Sequence, residues 1–354
     1  MKLHRSALAL FAGLVGFAAI SVTAAPTDKP FKVAWTPYPS WQVLPASTYK
    51  ITGDQSFLDQ RSAEAGAKVE IVKFKEYVVS ITALVAGDVD ACTMTLQEAL
   101  SFPVDGGVPV TVVLINDYSN GNDAIFGPKG STLADLAKNP VLLEEFSVSQ
   151  YLVFRAAQKN GVDFKSIKIL NTAGDEVPKV FLTSKTKPFV TTWNPHVVRI
   201  EESGKASKLF SSKEIPGEII DAIVVRTDRI AGREGAIQAL VNAYFDTLNQ
   251  WKRGADKRTT RAVAATADLK SAAEVDLFSK TVESTYFYWT PEEALAALED
   301  PKLPGNVATV RDALIQFGAF KGQNPETYKL TFDSTWVKSA ASRKMGAATV
   351  AKVK

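Results

Sequence analysis

Short runs of β-branched and aromatic residues alternate with stretches that repeat apolar residues at helical spacing, and this alternation limits the possible folds more than any other feature of the chain. Phe31 to Trp35 reads as a strand, broken by Thr36, Pro37, Tyr38, Pro39 and Ser40. Val69 to Phe74, Val89 to Thr93, Val108 to Ile115, Ile167 to Leu170 and Pro188 to Thr192 read as further strands. Ala124 to Phe126 and Val141 to Phe146 are extended. Between them, Glu76 to Ala86 sets Tyr77, Val78, Ile81, Leu84 and Val85 on one helical face and ends at Gly87. Gln97 to Phe102, Thr132 to Leu136 and Gln150 to Asn160 are also helical in pattern. Strands alternating with helices predict an α/β chain of βαβ units with mainly parallel sheets. The last third differs: Glu234 to Arg253 forms a strong amphipathic stripe, and helical patterns continue through Thr266 to Val282, Pro291 to Leu298 and Val307 to Phe317.

At 354 residues the chain is long enough for about two domains. Lys+Arg 41 against Asp+Glu 38 leaves no basic excess for a nucleic-acid partner. With 2 His and 1 Cys, no internal disulfide forms, and zinc, haem, iron–sulfur and Ser-His-Asp or Cys-His chemistry lose their usual groups. No phosphate-binding glycine loop or nucleophile elbow occurs. A non-enzymatic protein without metal or cofactor is therefore expected. The N-terminus reads as an export signal over residues 1–25: Lys2 and Arg5, the apolar run Ala7 to Ile20, then Val22, Thr23, Ala24, Ala25 and Pro26. The run is shorter than the ~20 residues needed to span a bilayer. Removing Lys2 and Arg5 takes the charge from +3 to 3 − 2 = +1, and losing His4 leaves only His196. A secreted, periplasmic, soluble product is expected.

Two segments resemble each other. Ala83 to Leu96 and Phe181 to Asn194 both read as a helix end, a turn, a short strand and then threonine with polar or aromatic residues. Thr93 aligns with Thr191, and Thr95 with Trp193. The similarity fits chance likeness between two βα units. It also fits two lobes of one design presenting strand ends to a shared cleft, where open α/β sheets bind ligands.

The chain resembles the periplasmic solute-binding proteins of ABC importers, in the nitrate/sulfonate/taurine branch. Within that branch it is most similar to the set associated with urea carboxylase. The carriers are Val33 to Trp35, Ala86 to Thr95, Asp117 to Asp123, Ser147 to Leu152, Thr191 to Pro195 and Ile215 to Asp221. Lys185 to Pro188 stands where the second lobe of such proteins has a Gly-x-x-Asp turn. The resemblance implies a two-lobed periplasmic-binding-protein fold, with 26–121 plus 222–354 in one lobe and 122–221 in the other. It implies a small nitrogen-rich solute of the guanidinium or urea class, delivered by a monomer to a membrane permease driven by a cytoplasmic ATPase. Its alternatives are a nitrate, taurine or alkanesulfonate binder, a sensor partner, and a thiamine-pyrimidine-synthase-like enzyme on the same fold.

A planar array of N–H donors needs acceptors around its rim and a flat surface for its face. Carboxylates supply the first, and indoles attract a cation to the second. Trp35 and Trp193, each at a strand end, are the expected platforms. Asp117 and Asp123 bracket a polar loop that contains Asn120, where the chain should cross between lobes; Asp123 is the favoured acceptor. Glu218 precedes the return crossing, Thr93 and Thr95 are hydroxyls at a strand end, and Asn194 follows Trp193. Tyr38 and Trp41 lie in the Pro-rich turn and read first as surface or structural, with Tyr38 kept as a candidate. Ser147 and Ser149 read as helix caps, and Glu144 and Glu145 beside them argue against an anionic solute. Cys92 is expected buried and His196 solvated or capping.

Overall fold

A computed structural model describes residues 29–50, 54–252, 257–266, 271–320, 324 and 327–343; the expected export signal lies outside them. The first stretch runs β1 (Phe31–Trp35), α1 (Val43–Ala46), α2 (Phe57–Glu64), β2 (Val69–Lys73), α3 (Tyr77–Ala86), β3 (Ala91–Thr95), α4 (Leu96–Ala99) and β4 (Val110–Ser119). The middle runs β5 (Asp123–Pro128), β6 (Val141–Leu143), α5 (Val148–Lys159), β7 (Ile169–Asn171), α6 (Val177–Thr183), β8 (Phe189–Trp193), α7 (His196–Glu202) and β9 (Ala206–Ser211). The last runs β10 (Ile220–Arg226), α8 (Glu234–Lys252), α9 (Lys257–Thr266), α10 (Ala272–Glu283), β11 (Thr285–Phe287), α11 (Pro291–Leu298), α12 (Leu303–Phe317), β12 (Thr331–Phe332) and α13 (Thr335–Ser342).

The strands form two sheets flanked by helices. One has seven strands in the order β11-β4-β10-β3-β1-β2, with β12 added on β4; the other has five, in the order β7-β6-β8-β5-β9. The expected mainly parallel sheets are in fact mixed. β1 pairs in parallel with β2 and β3, but β10 is antiparallel to both β3 and β4. In the second sheet β6 is parallel to β7 and β8, while β5 is antiparallel to β8 and β9. The cause is the route of the chain. It leaves the first sheet along β4 and returns along β10, so the two lie side by side and point in opposite directions. The two crossings fall between Ser119 and Asp123 and between Ser211 and Ile220.

Each sheet buries its own core. The amphipathic stripe of α8 packs Ile237, Leu240, Val241, Tyr244, Phe245 and Leu248 against the first sheet. In the second, successive residues of β5 go to opposite faces. Ile125 joins a core with α5, whereas Ala124 and Phe126 join one with α6 and α7. Helix α12, far along the chain, packs Val310, Ala313 and Leu314 into the α5 side of that second core.

Candidate functional site

Strand ends from both sheets converge on a small, partly open cavity with about 30 Å³ accessible to the centre of a water-sized sphere, above the ~10–15 Å³ that a single water needs. Thr36, Tyr38 and Trp41 come from the turn after β1, Tyr77 from the start of α3, Thr95 from the end of β3 and Asp221 from β10. Asp123, Val148 and Trp193 come from β5, α5 and β8 of the second sheet. The aromatic rings form a chain along the wall. Tyr38 and Trp41 lie 4.8 Å apart, Trp41 and Tyr77 5.3 Å, and Tyr77 meets Trp193 edge-on at 6.3 Å across the cleft. Gly174 makes room for this indole: a Cβ there would stand 2.1 Å from the Trp193 ring.

The second feature is acidity. Asp117 and Asp221 face each other as register partners on β4 and β10, both buried. Ser40 and Tyr38 lie near them, yet neither carboxylate has a hydrogen bond of good geometry. Burial pushes Asp117 up to about 7. Asp221 is held well above the usual carboxylate range by burial, then by the charges of Asp117 and Asp123. Asp123 accepts a 2.5 Å hydrogen bond from Ser119 Oγ, and burial still pushes it up to about 7. Glu98 is fully buried and better satisfied. It accepts from the Thr95 hydroxyl, from Tyr77 Oη at 3.3 Å and from the Val148 N–H at 2.8 Å. Burial nonetheless raises its pKa. Glu144 is pushed up to about 7 by burial and by Glu98 and Asp175 beside it. No Lys, Arg or His is among the described residues that line the cavity.

Four of the candidates from the sequence, Tyr38, Thr95, Asp123 and Trp193, line this cavity. Asp117 lies directly beside Asp221. Thr93 sits deeper on the face it shares with Thr95, its hydroxyl buried without a partner. The other candidates lie elsewhere. Trp35 is buried away from the cavity, its ring 5.5 Å from the Lys73 ammonium, and the neighbouring Thr36 reaches the site instead. Glu218 is committed to Arg155, whose Nε donates at 2.6 Å, and to Tyr151 Oη at 2.7 Å. Asn194 ties the first crossing to α7: its amide donates to Asn122 Oδ1 and Ser284 Oγ, both at 2.8 Å, and its Oδ1 accepts from the Val198 N–H. Asn120 is half-buried at that crossing and holds Ser284 through its backbone N–H.

Local reading misplaced other groups as well. Trp41, read as surface or structural, is buried in the cavity wall, where its ring packs between Tyr38 and Tyr77. His196 is half-buried with its ring 6.5 Å from Trp193, and burial, with Arg199 and Lys179 nearby, holds its pKa down to about 4. Ser147 does cap α5, accepting from the Ser149 N–H. The missed residues Tyr77, Glu98 and Asp221 carried weak signals. Tyr77 merged into an apolar helix face, Glu98 stands at capping-box spacing after Thr95, and Asp221 interrupts an apolar strand. The similarity between the two βα segments has a structural counterpart, since the aligned Thr95 and Trp193 end β3 and β8 and both line the cavity.

The profile of the family described as NMT1/THI5 like matches residues 63–249. No curated protein matches the chain. The fold is similar to that of the periplasmic aliphatic sulphonate binding protein of Escherichia coli, with a TM-score of 0.67 at 14% identity over 87% of this chain and 94% of that one. It is similar also to the periplasmic nitrate-binding protein of Synechocystis (TM-score 0.63, 10% identity, 90% of this chain and 89% of that one). A third likeness is to the ligand-binding component of an ABC-type import system of Staphylococcus aureus, solved with zinc bound (TM-score 0.64, 16% identity, 88% of this chain and 99% of that one).

Proposed function

The chain belongs to the NMT1/THI5-like family, and on that basis we propose that it is the exported solute-binding component of an ABC importer, taking a small nitrogen-rich cation of the guanidinium class. One observation carries the choice of solute. Asp117 and Asp221 are buried opposite each other without a hydrogen bond of good geometry, beside a cavity walled by four aromatic rings and lacking a basic residue among its described lining. Buried carboxylates need a counter-charge. A planar cation supplies it, donates its N–H groups to the carboxylates and lays its face on an indole. Urea, the neutral member of the class, offers the same donors but leaves the charge unbalanced. Nitrate, taurine or an alkanesulfonate would meet acidic groups on several sides.

In this reading the two sheets form two lobes hinged at the crossings. Solute entering between Tyr77 and Trp193 draws them together, and a membrane permease with its cytoplasmic ATPase reads the closed form. The proposal is a periplasmic monomer that binds and does not catalyse. The Cys92 thiol is buried in β3, where burial pushes it up to about 12, and His196 stands behind Trp193. Neither is poised as nucleophile or base. Calorimetric titration of the mature chain at pH 8 with guanidinium, urea, nitrate and taurine tests the reading. Saturable binding strongest for guanidinium is expected; tightest binding of nitrate or taurine would overturn the solute class.

A further inference from the structure

The N-terminus of α5 opens onto the cavity through Val148. Two of its first N–H groups are satisfied within the segment: Ser149 N–H by Ser147 Oγ and Gln150 N–H by the Ser147 carbonyl. The Val148 N–H is not, and it donates 2.8 Å to Glu98 Oε1, a residue 50 positions earlier on the other sheet's side of the cleft. The hydroxyls of Thr95 and Tyr77 hold the other carboxylate oxygen. Beside this contact Gln97 Nε2 donates 3.2 Å to the Glu218 carbonyl, on the return crossing. In the same first turn, Ser149 is 1% exposed and its buried hydroxyl has no partner. A helix N-terminus whose first N–H has no partner within its own segment, with a buried hydroxyl and an opening to a solute cavity, has the makings of an anion site, and here a carboxylate of the same chain occupies it.

We propose that Glu98 is a built-in anion: its carboxylate fills that position at the start of α5, joins the two lobes across the cleft and bars anionic solutes from the cavity. The inference rests on the reading of this cavity as a solute site, and not on guanidinium being the solute. Glu98 also differs from Asp117 and Asp221. Its oxygens are committed to three donors within the protein, whereas theirs make no hydrogen bond of good geometry. Glu98 is therefore a selectivity and positioning residue, and the unpartnered pair is left for the ligand. Glu144 and Asp123 both feel its charge, which raises them in addition to burial.

The test uses the mature chain, Glu98→Ala and Glu98→Gln, with sodium nitrate and sodium methanesulfonate as probes and circular dichroism to confirm folding. Anion titrations are run at low salt and pH 6, where burial keeps protons on Asp117 and Asp123 and their repulsion is reduced. The wild type is expected to show no saturable anion binding. E98A vacates the position and gains it, at least tenfold tighter than any residual wild-type binding. E98Q, whose amide oxygen still fills the place without the charge, gains a smaller but measurable affinity. A folded variant that excludes both anions as the wild type does overturns the proposal, and if E98A does not fold, E98Q decides by the same criterion. Guanidinium titration of the wild type at pH 8 separates this from the solute reading. Failure there with anion binding gained in the variants removes guanidinium and keeps the built-in anion. Guanidinium binding with no gain in the variants does the reverse.

Discussion

Asp123→Asn separates what the cavity costs the fold from what it gives the ligand. The carboxyl of Asp123 is raised from 3.8 to about 7, chiefly by burial and secondly by the charge of Glu98, against the help of the Ser119 hydrogen bond. A carboxyl raised on folding weakens the folded state as it ionises. Nothing is lost below about pH 3, where it is protonated folded and unfolded, and the full cost is present above about pH 7. At about 1.4 kcal/mol per pH unit over about three units, that cost is on the order of 4 kcal/mol. Asparagine keeps an acceptor for Ser119 but leaves its buried NH₂ without a partner, a loss of about 1–3 kcal/mol. The net is a gain of roughly 1–3 kcal/mol for the ligand-free protein at pH 8. For a chain of this length that is about 2–4 °C in melting temperature. At pH 4.5 only about 1 kcal/mol of that cost is present, so the amide's loss cancels or exceeds it and the gain disappears. Scanning calorimetry of both proteins without ligand at the two pH values measures the difference. Guanidinium titration at pH 8 should show binding weakened roughly 10–100-fold, the value of a hydrogen bond to a charged group. A lower melting temperature for the variant at pH 8, or an equal difference at both pH values, refutes the reasoning.

Trp193→Ala should weaken guanidinium binding about 5–30-fold, from ~1–2 kcal/mol of desolvated cation–π attraction, while far-ultraviolet circular dichroism stays native because the ring is only half-buried. Gly174→Ala should give a similar loss without touching the ligand, since the new Cβ would stand 2.1 Å from the Trp193 ring and must push it aside; unchanged affinity would mean that the indole's position does not matter. Guanidinium should release protons on binding near pH 7, where Asp117 and Asp123 are partly protonated, so its affinity should rise from pH 6 to pH 8. Titrations in two buffers of different ionisation enthalpy measure this release, and identical observed enthalpies would contradict it.

How much of this was legible depended on the range of the physics. Strand and helix periods are local, so the α/β alternation, the α8 stripe and the buried Cys92 follow from neighbouring residues. Trp193 and Asp123 were legible because each stands at the end of a recognisable strand beside a polar turn. Trp35 misled for a related reason: its strand was right, but adjacent side chains point to opposite faces, and only the neighbouring strands decide that Thr36 meets the cavity. Glu218 stands beside a crossing in the sequence, but Arg155, 63 residues away, holds its carboxylate.

By itself, then, the sequence determined the strongly patterned strands and helices, such as β1, β4, α3, α5 and α8, but not α2, α6, β9 or β11, because only the former carry a pattern set by contacts within a few residues. The tertiary structure alone decided that Asp221 meets Asp117, that Glu98 reaches the start of α5, and that the strands around the crossings run antiparallel. Each is a pairing between distant parts of the chain, fixed by packing and register rather than by any local preference.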